Sequence, residues 1–145
     1  MVYYNTNTEK IYLTAAGLEK FKKEHKELRD IRNSESIPKE ELIRMHRRME
    51  ELELIFKKYE FIKAPPKDRQ GIISLGATVV VEINGQIDEF TIVGTLEAEP
   101  SKNKISDKSP VGQVLLGKKE GEMVEIKTPI INHKCRIIKI NYQNE

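Results

Sequence analysis

Three histidines and one cysteine are the side chains best able to bind a metal or attack a substrate. His25 and His46 fall in the N-terminal half, whereas His133 and Cys135 are close to the C-terminus. Two imidazoles without a carboxylate or thiolate partner make a poor zinc site, so a polar residue in a helix seam is the simpler interpretation of His25. Cys135 falls inside a strand pattern, which favours packing over a reactive thiol. These residues predict no catalytic group, no metal site and no cofactor.

Acidic side chains in the middle of the N-terminal half offer a different chemistry. They are Asp30, Glu35, Glu40 and Glu41. Carboxylates at the end of a projecting arm could be inserted into the site of another molecule and hold a metal ion there. Basic residues alternate with these acids, however, and a solvated surface of mixed charge explains the same pattern. We keep both interpretations.

Two runs of residues with a helical period must position these groups. The first run is Leu18, Phe21, His25 and Leu28. The second run is Leu42, Met45, Met49, Leu52, Phe56 and Tyr59. Spacings of three and four residues are typical of the contact positions in a coiled coil, and Thr14 is a suitable N-cap for the first helix. The sequence therefore predicts two helices that pack along these seams.

The segment RNSESIPKEE between the two runs favours a reversal of the chain. Its Asn and Ser residues disfavour a helix interior, and Pro38 is tolerated only in a first turn. The expected product is an antiparallel helical coiled-coil hairpin with arms of about 18 residues, or roughly 27 Å. A turn near Glu35 would place His25 opposite Met45 or His46.

The periodicity becomes strand-like after residues 64–71, APPKDRQG, whose prolines and glycine end the second helix. Residues 78–83 alternate in the manner of a strand, and the following Asn84-Gly85 is a strong hairpin signal. Further strand patterns cover residues 86–94, 122–128 and 134–142. The second half should therefore contain about four strands.

A short helix is predicted between the two pairs of strands. Ser109 is a good N-cap, Pro110 suits the first helical position, and Gly117 is placed for the C-terminal stop. One such helix can close over a small sheet, which gives an α+β fold. The predicted division is a helical hairpin in residues 1–63, a linker in 64–71 and a small β-rich domain with one short helix in 72–145.

Composition limits the classes of function. The formal net charge of the 145-residue chain is +2, with 14 Lys and Arg against 12 Asp and Glu in residues 1–63 and 11 of each in residues 64–145. Neither half is strongly basic, so no basic surface for strong binding to DNA or RNA is indicated. The single cysteine excludes an internal disulfide. The N-terminus lacks the apolar segment of a signal peptide, and no apolar run is long enough to cross a membrane. We expect a soluble, cytoplasmic, monomeric protein without a membrane partner.

A series of short motifs, from about Ile11 to the C-terminus, resembles the bacterial GreA/GreB transcription elongation factor family. The motifs are Tyr12-Leu13-Thr14, Gly17-Leu18, Leu75-Gly76-Ala77-Thr78-Val79, Ile92-Val93-Gly94, Ile105-Ser106, Ser109-Pro110-Val111-Gly112, Leu115-Leu116-Gly117-Lys118 and Ile126-Lys127-Thr128-Pro129. Any one of them alone is weak, but together they occur in order and at family-like separations.

The resemblance implies an FKBP-like C-terminal domain that docks on the rim of the secondary channel of bacterial RNA polymerase. The hairpin would enter that channel, and nucleic acid would be met only indirectly, through the transcription complex. In the family, the loop and helix that correspond to residues 105–117 contribute to docking. The implied contacts are Ser106, Asp107, Lys108, Ser109, Pro110 and Gly112. Lys108 stands where members of the family often have Asp or Asn.

The helical segment departs from the cleavage-stimulating members of this family. Those members have an acidic D-L-x-E-N-like motif near the tip, whose carboxylates help to hold a catalytic magnesium ion, and this chain has none. The interval from Leu13 to Leu75 is also about two heptads shorter, which reduces the reach by roughly 10 Å. The chain is more similar to the short-armed, Rnk-like branch, which binds polymerase without the cleavage activity.

Three functions follow from these observations. The preferred one is a non-enzymatic RNA polymerase-binding factor that modulates transcription elongation. The alternative is a genuine transcript cleavage factor in which Glu35, Glu40 or Glu41 replaces the missing acidic motif. A remote alternative is a peptidyl-prolyl isomerase, which needs an aromatic-lined pocket although the second half supplies only Phe90 and Tyr142.

Overall fold

The structure, a computed structural model, describes residues 10–34, 36–127 and 132–142. The chain divides into two compact units, which we call the helical unit (up to Phe61) and the sheet unit (from Ile62). The described residues form three α-helices together with β-strands, so the predicted mixed α+β class is confirmed. None of the described helices combines the length and the apolar character that a membrane span requires.

Two short strands frame the helical unit. β1 (Ile11–Leu13) precedes α1 (Ala15–Arg32), and β2 (Tyr59–Phe61) follows α2 (Lys39–Lys58). β1 and β2 pair in parallel, with Leu13 opposite Phe61, so the start of α1 lies near the end of α2. Only six residues separate the end of α1 from the start of α2, so the two helices run antiparallel. The periodicity did not predict these strands, because three residues are too few to show an alternation.

The predicted cap of the first helix is confirmed. The Thr14 side-chain hydroxyl accepts a hydrogen bond from the Gly17 N–H at 3.0 Å. This bond satisfies one of the backbone donors that a helix leaves unpaired at its start. The beginning of α1 is therefore determined by residues only three positions apart.

Packing in the helical unit is tightest near the two strands. The buried apolar side chains are Leu13, Leu18, Phe21, Met49, Leu52 and Ile55. Towards the connecting turn, Leu28, Leu42 and Met45 are only half-buried. Ile31 and Ile43, in the same part of the two helices, are 49% and 51% exposed. The contact between the helices therefore weakens along their length.

A charged cluster also joins the two helices. The Arg48 guanidinium of α2 donates to both carboxylate oxygens of Glu24 on α1, at 2.7 and 3.0 Å, and to Glu51 at 3.1 Å. The hydrogen bonds to Glu24 are the main reason that the pKa of Arg48 is raised above its ordinary value. The guanidinium carbon also lies 6.0 Å from the centroid of the Phe21 ring. Arg48 thus links the helices by charge and by contact with an aromatic face.

His25 contacts a different part of α2 from the part that was predicted. Its Nε2 atom lies 3.2 Å from Glu53 Oε1, and its ring meets Phe56 edge-on with the centroids 5.7 Å apart. The prediction of Met45 or His46 as the neighbour was wrong. Helical side chains lean towards the N-terminus of their own helix. In α1 this direction leads towards the end of α2, because the two helices are antiparallel. His25 therefore meets residues nearer the end of α2.

The described strands of the sheet unit form one five-stranded sheet in the order β5-β4-β3-β7-β6. Its elements are β3 (Thr78–Ile83), β4 (Gln86–Val93), β5 (Lys104–Ser106), α3 (Pro110–Leu115), β6 (Met123–Lys127) and β7 (Asn132–Asn141). Neighbouring strands are antiparallel except β4 and β5, which are parallel. The prediction of about four strands missed β5, because β5 has three residues and a single buried side chain, Ile105.

The predicted hairpin between β3 and β4 is confirmed. Asn84 and Gly85 have φ angles of 52° and 77°, and Ile83 pairs with Gln86 across the turn. Two successive residues with positive φ are the signature of a type I′ turn, whose twist matches that of the flanking strands. The register of this strand pair is therefore set by a two-residue signal.

One face of the sheet, α3 and the residues just before β3 form the core of the sheet unit. Its most deeply buried members include Ile73, Ala77, Val79, Val81, Ile92, Leu115, Cys135 and Ile137. Val79 and Val81 are fully buried whereas Val80 between them is only half-buried, which confirms the alternation predicted for β3. Burial raises the pKa of the Cys135 thiol, in agreement with a packing role.

Candidate docking site

The residues implied in docking lie together, in one loop and the first turn of α3. They are Ser106, Asp107, Lys108, Ser109, Pro110 and Gly112. We call residues 106–110 the docking loop. Because β4 and β5 are parallel, with Val93 opposite Ser106, the docking loop leaves the sheet beside residues 94–97, which follow β4. The Asp107 N–H donates to the Val93 carbonyl at 3.1 Å and fixes this junction.

Ser109 closes the docking loop onto α3. Its hydroxyl donates to the Ser106 carbonyl at 2.6 Å and accepts from the Gly112 N–H at 3.1 Å. Ser109 is therefore the N-cap of α3 and Pro110 its first residue, as predicted. Since the hydroxyl makes both bonds within the protein, its first role is to shape the loop.

The Ser106 side chain is the centre of a second set of contacts. Its hydroxyl oxygen accepts from the Lys108 N–H at 3.0 Å and lies 3.2 Å from the Thr95 hydroxyl oxygen. A longer contact of 3.5 Å reaches Asp107 Oδ1. Ser106 thus connects the backbone of the docking loop to the turn after β4.

Gly112 lies under the docking loop and is buried. A Cβ atom at this position would be 2.1 Å from the Ser106 carbonyl oxygen and 3.0 Å from Ser109 Oγ. Contacts as short as the first do not occur, so only glycine permits α3 to approach the loop this closely. Gly112 therefore supports the docking loop from within and does not form part of its surface.

The five residues of the docking loop differ in their exposure to solvent. Lys108 and Pro110 are exposed, whereas Ser106, Asp107 and Ser109 are half-buried. The accessible groups are thus one ammonium, one partly accessible carboxylate and one apolar ring. These groups suit a protein surface that offers charges of both signs beside an apolar contact.

Reasoning from the sequence missed Thr95, which follows β4 and is exposed beside the docking loop. Its proximity to Ser106 depends on the parallel pairing of β4 with β5. Because β5 was not predicted, no signal in the sequence connected Thr95 with residues eleven positions further on.

The predicted acidic residues lie near the turn between α1 and α2. Asp30 is in the last part of α1, Glu40 and Glu41 are in the first turn of α2, and all three are exposed. Glu35 lies outside the described residues. Acidic groups in a first helical turn interact favourably with the helix dipole, which accounts for Glu40 and Glu41. Among the residues that the structure describes, no group of three or more His, Cys, Asp or Glu side chains is placed to hold a metal ion.

Comparison with known proteins identifies the family. Residues 67–142 match the family described as "Transcription elongation factor, GreA/GreB, C-term". The transcription elongation factor GreA of Listeria welshimeri is 31% identical over 156 residues, which cover 92% of this chain and 97% of that protein. The chain therefore belongs to the GreA/GreB family of transcription elongation factors.

Other relatives match over a shorter segment. The transcription elongation factor GreA of Thermomicrobium roseum is 43% identical over 93 residues, which cover 64% of this chain. That of Caldanaerobacter subterraneus is 47% identical over 70 residues, which cover 47% of this chain. The matches span only 60% and 45% of the lengths of these two relatives.

Two solved structures are also similar. The GreA factor homolog 1 (Gfh1) protein of Thermus thermophilus is 24% identical with a TM-score of 0.46, over 92% of this chain and 99% of that one. The GreA/GreB factor of Nitrosomonas europaea is 21% identical with a TM-score of 0.48, over 93% of this chain and 100% of that one. Membership of the family rests on the sequence matches and not on these structural similarities.

Proposed function

We propose that this protein binds bacterial RNA polymerase through the docking loop and modulates transcription elongation. The sheet unit is an FKBP-like domain that sits on the rim of the secondary channel. One observation carries the proposal: within the family-matched residues 67–142, internal hydrogen bonds hold the docking loop so that Lys108 and Pro110 are exposed. A loop that is ordered before binding loses little entropy when a partner docks.

In this proposal the helical unit is a short coiled-coil arm that enters the channel. α1 has 18 residues and α2 has 20, which correspond to lengths of roughly 27 and 30 Å. Metal ligands must approach to about 2 Å, so an arm that stops short of the active centre cannot supply carboxylates to it. The protein is therefore a short-armed, Rnk-like, non-enzymatic member of the family that acts as a cytoplasmic monomer.

The exposure of the tip carboxylates supports an alternative. Asp30, Glu40 and Glu41 are all accessible to a partner. If the arm reaches the active centre, these groups could hold a magnesium ion and stimulate transcript cleavage. The two functions differ in chemistry, so they can be separated by experiment.

The docking proposal is tested by the affinity for the cognate RNA polymerase. Lys108→Glu reverses the charge at the exposed position of the docking loop and should weaken binding about tenfold or more. Lys127→Glu is the matched control, because Lys127 is exposed on β6 at the opposite edge of the sheet. Wild-type protein that fails to bind polymerase, or equal losses in the two variants, would refute docking through this loop.

Cleavage is tested in a defined backtracked elongation complex under conditions where binding is saturated. The expected result is bound protein and no increase in RNA cleavage above the intrinsic rate. Cleavage that disappears when Asp30, Glu35, Glu40 and Glu41 are changed together to Asn, Gln, Gln and Gln would establish the alternative. Amide substitutions remove the charge and keep the size of each side chain, so they should change the chemistry of these positions without disturbing the fold.

A further inference from the structure

We propose that Thr95 is a positioning residue of the polymerase-docking surface and holds the docking loop through Ser106. This inference rests on the proposed function, which assigns docking to residues 106–110. It adds a residue outside that segment and outside the motifs that resemble the family. The observation behind it is the 3.2 Å contact between the Thr95 and Ser106 hydroxyl oxygens.

The hydrogen-bonding capacity of Ser106 explains why this contact matters. A serine hydroxyl has one proton to donate and two lone pairs to accept with. One lone pair accepts the Lys108 N–H at 3.0 Å, and the proton is donated weakly to Asp107 Oδ1 at 3.5 Å. The second lone pair is then left for the Thr95 hydroxyl at 3.2 Å. The three contacts together hold Ser106 in the orientation that accepts the Lys108 N–H, and Thr95 supplies the one that comes from outside the docking loop.

The topology places Thr95 where a partner would also meet it. Thr95 comes two residues after the end of β4. Because β4 and β5 are parallel, residues 94–97 and the docking loop lie at the same end of these two strands. Thr95 and Lys108 are both exposed there, although Thr95 precedes Lys108 by thirteen positions in the chain. A partner that covers Lys108 therefore binds a loop whose shape depends on Thr95.

The test compares Thr95→Val with Thr95→Ser in the full-length chain. Valine keeps the branched shape and removes the hydroxyl, whereas serine keeps the hydroxyl. We expect Thr95→Val to accelerate amide hydrogen exchange at Lys108 and to weaken polymerase binding, each by about 3- to 10-fold. The Gly112 amide, which is held by Ser109, should exchange as in the wild type. Thr95→Ser should restore both values.

The possible outcomes separate this inference from the proposed function. Wild-type protein that does not bind polymerase refutes the proposed function and the docking role of Thr95 with it. Wild-type protein that binds, with Thr95→Val at the same affinity, overturns only the inference. Equal acceleration of exchange at Lys108 and Gly112 also overturns it, because a general loosening of the sheet unit would then explain the loss.

Discussion

The hydroxyl groups of Ser106 and Ser109 act first within the protein. Ser109 caps α3 and binds the Ser106 carbonyl, while the Ser106 side chain holds the Lys108 backbone. A docking defect in Ser109→Ala would therefore combine the loss of a contact with a change in loop shape. Substitutions at the exposed Lys108 and Pro110 test partner contact more directly.

Gly112→Ala should destabilise the sheet unit. The new Cβ would be 2.1 Å from the Ser106 carbonyl oxygen, and relief of this overlap should lower the free energy of unfolding by about 1–3 kcal/mol. Gly71→Ala is the matched control, because nothing lies within 4 Å of its Cβ position. Urea unfolding of both variants measures the difference, and equal stabilities would contradict the close approach of α3 to the loop.

Cys135 should make the stability of the sheet unit depend on alkaline pH. Burial raises the pKa of this thiol above its ordinary value of 9.0, so the unfolded chain ionises first as the pH rises. Its contribution to stability is therefore fully present below the unfolded pKa and is lost as the pH rises through the folded pKa. The stability advantage of the wild type over Cys135→Ala should shrink as the pH rises above about 8.5. An advantage that is constant over this range in urea unfolding would contradict the burial of the thiol.

At the scale of the elements, the helix pair has a packed end and an open end. Leu52 is fully buried near β1 and β2, whereas Ile43 is 51% exposed near the turn. Arg48 and Glu24 add a bidentate ion pair between the helices. The end of the helix pair near β1 and β2 thus contributes most of the buried packing between the helices, and the end near the turn leaves its side chains accessible.

Leu52→Ala should lower the free energy of unfolding of the helical unit by about 2–5 kcal/mol, because it opens a cavity in a fully packed site. Ile43→Ala removes a similar apolar side chain from an exposed position and should change stability by no more than about 0.5 kcal/mol. Urea unfolding followed by the helical circular dichroism signal gives both values. Comparable losses in the two variants would show that packing is uniform along the helices.

The whole molecule combines two compact units with little net charge. Its formal charge is +2 over 145 residues, and the helices and the sheet both carry acids among their basic residues. With 25 Lys and Arg against 23 Asp and Glu, the sequence predicts that few phosphates are neutralised at once. Under the proposed function, recognition of a transcription complex would come from contacts with the polymerase protein.

Binding to free duplex DNA should accordingly be weaker than about 10⁻⁴ M at physiological salt. Fluorescence anisotropy with a labelled duplex measures it, and a sample that binds polymerase under the same conditions serves as the positive control. Micromolar affinity with a steep salt dependence would contradict this expectation and would assign nucleic acid as a direct partner.

The amino-acid sequence by itself determined the features that depend on neighbouring residues. Thr14 and Ser109 cap helices through bonds to residues three positions away, and Asn84-Gly85 forms its turn from two adjacent residues. Such signals act over a few bonds, so local pattern is enough to read them. The resemblance to the GreA/GreB family was likewise visible in the sequence, and membership of the family is confirmed by the comparisons.

Only the tertiary structure decided which distant residues meet. β5 is defined by its pairing with β4, because its three residues show no pattern of their own, and Thr95 comes beside Ser106 only through that pairing. His25 meets Glu53 and Phe56 because side chains lean along their helices, which sequence numbers do not express. Contacts between residues that are far apart in the chain depend on the packing of the whole unit, and the proposed docking surface is built from such contacts.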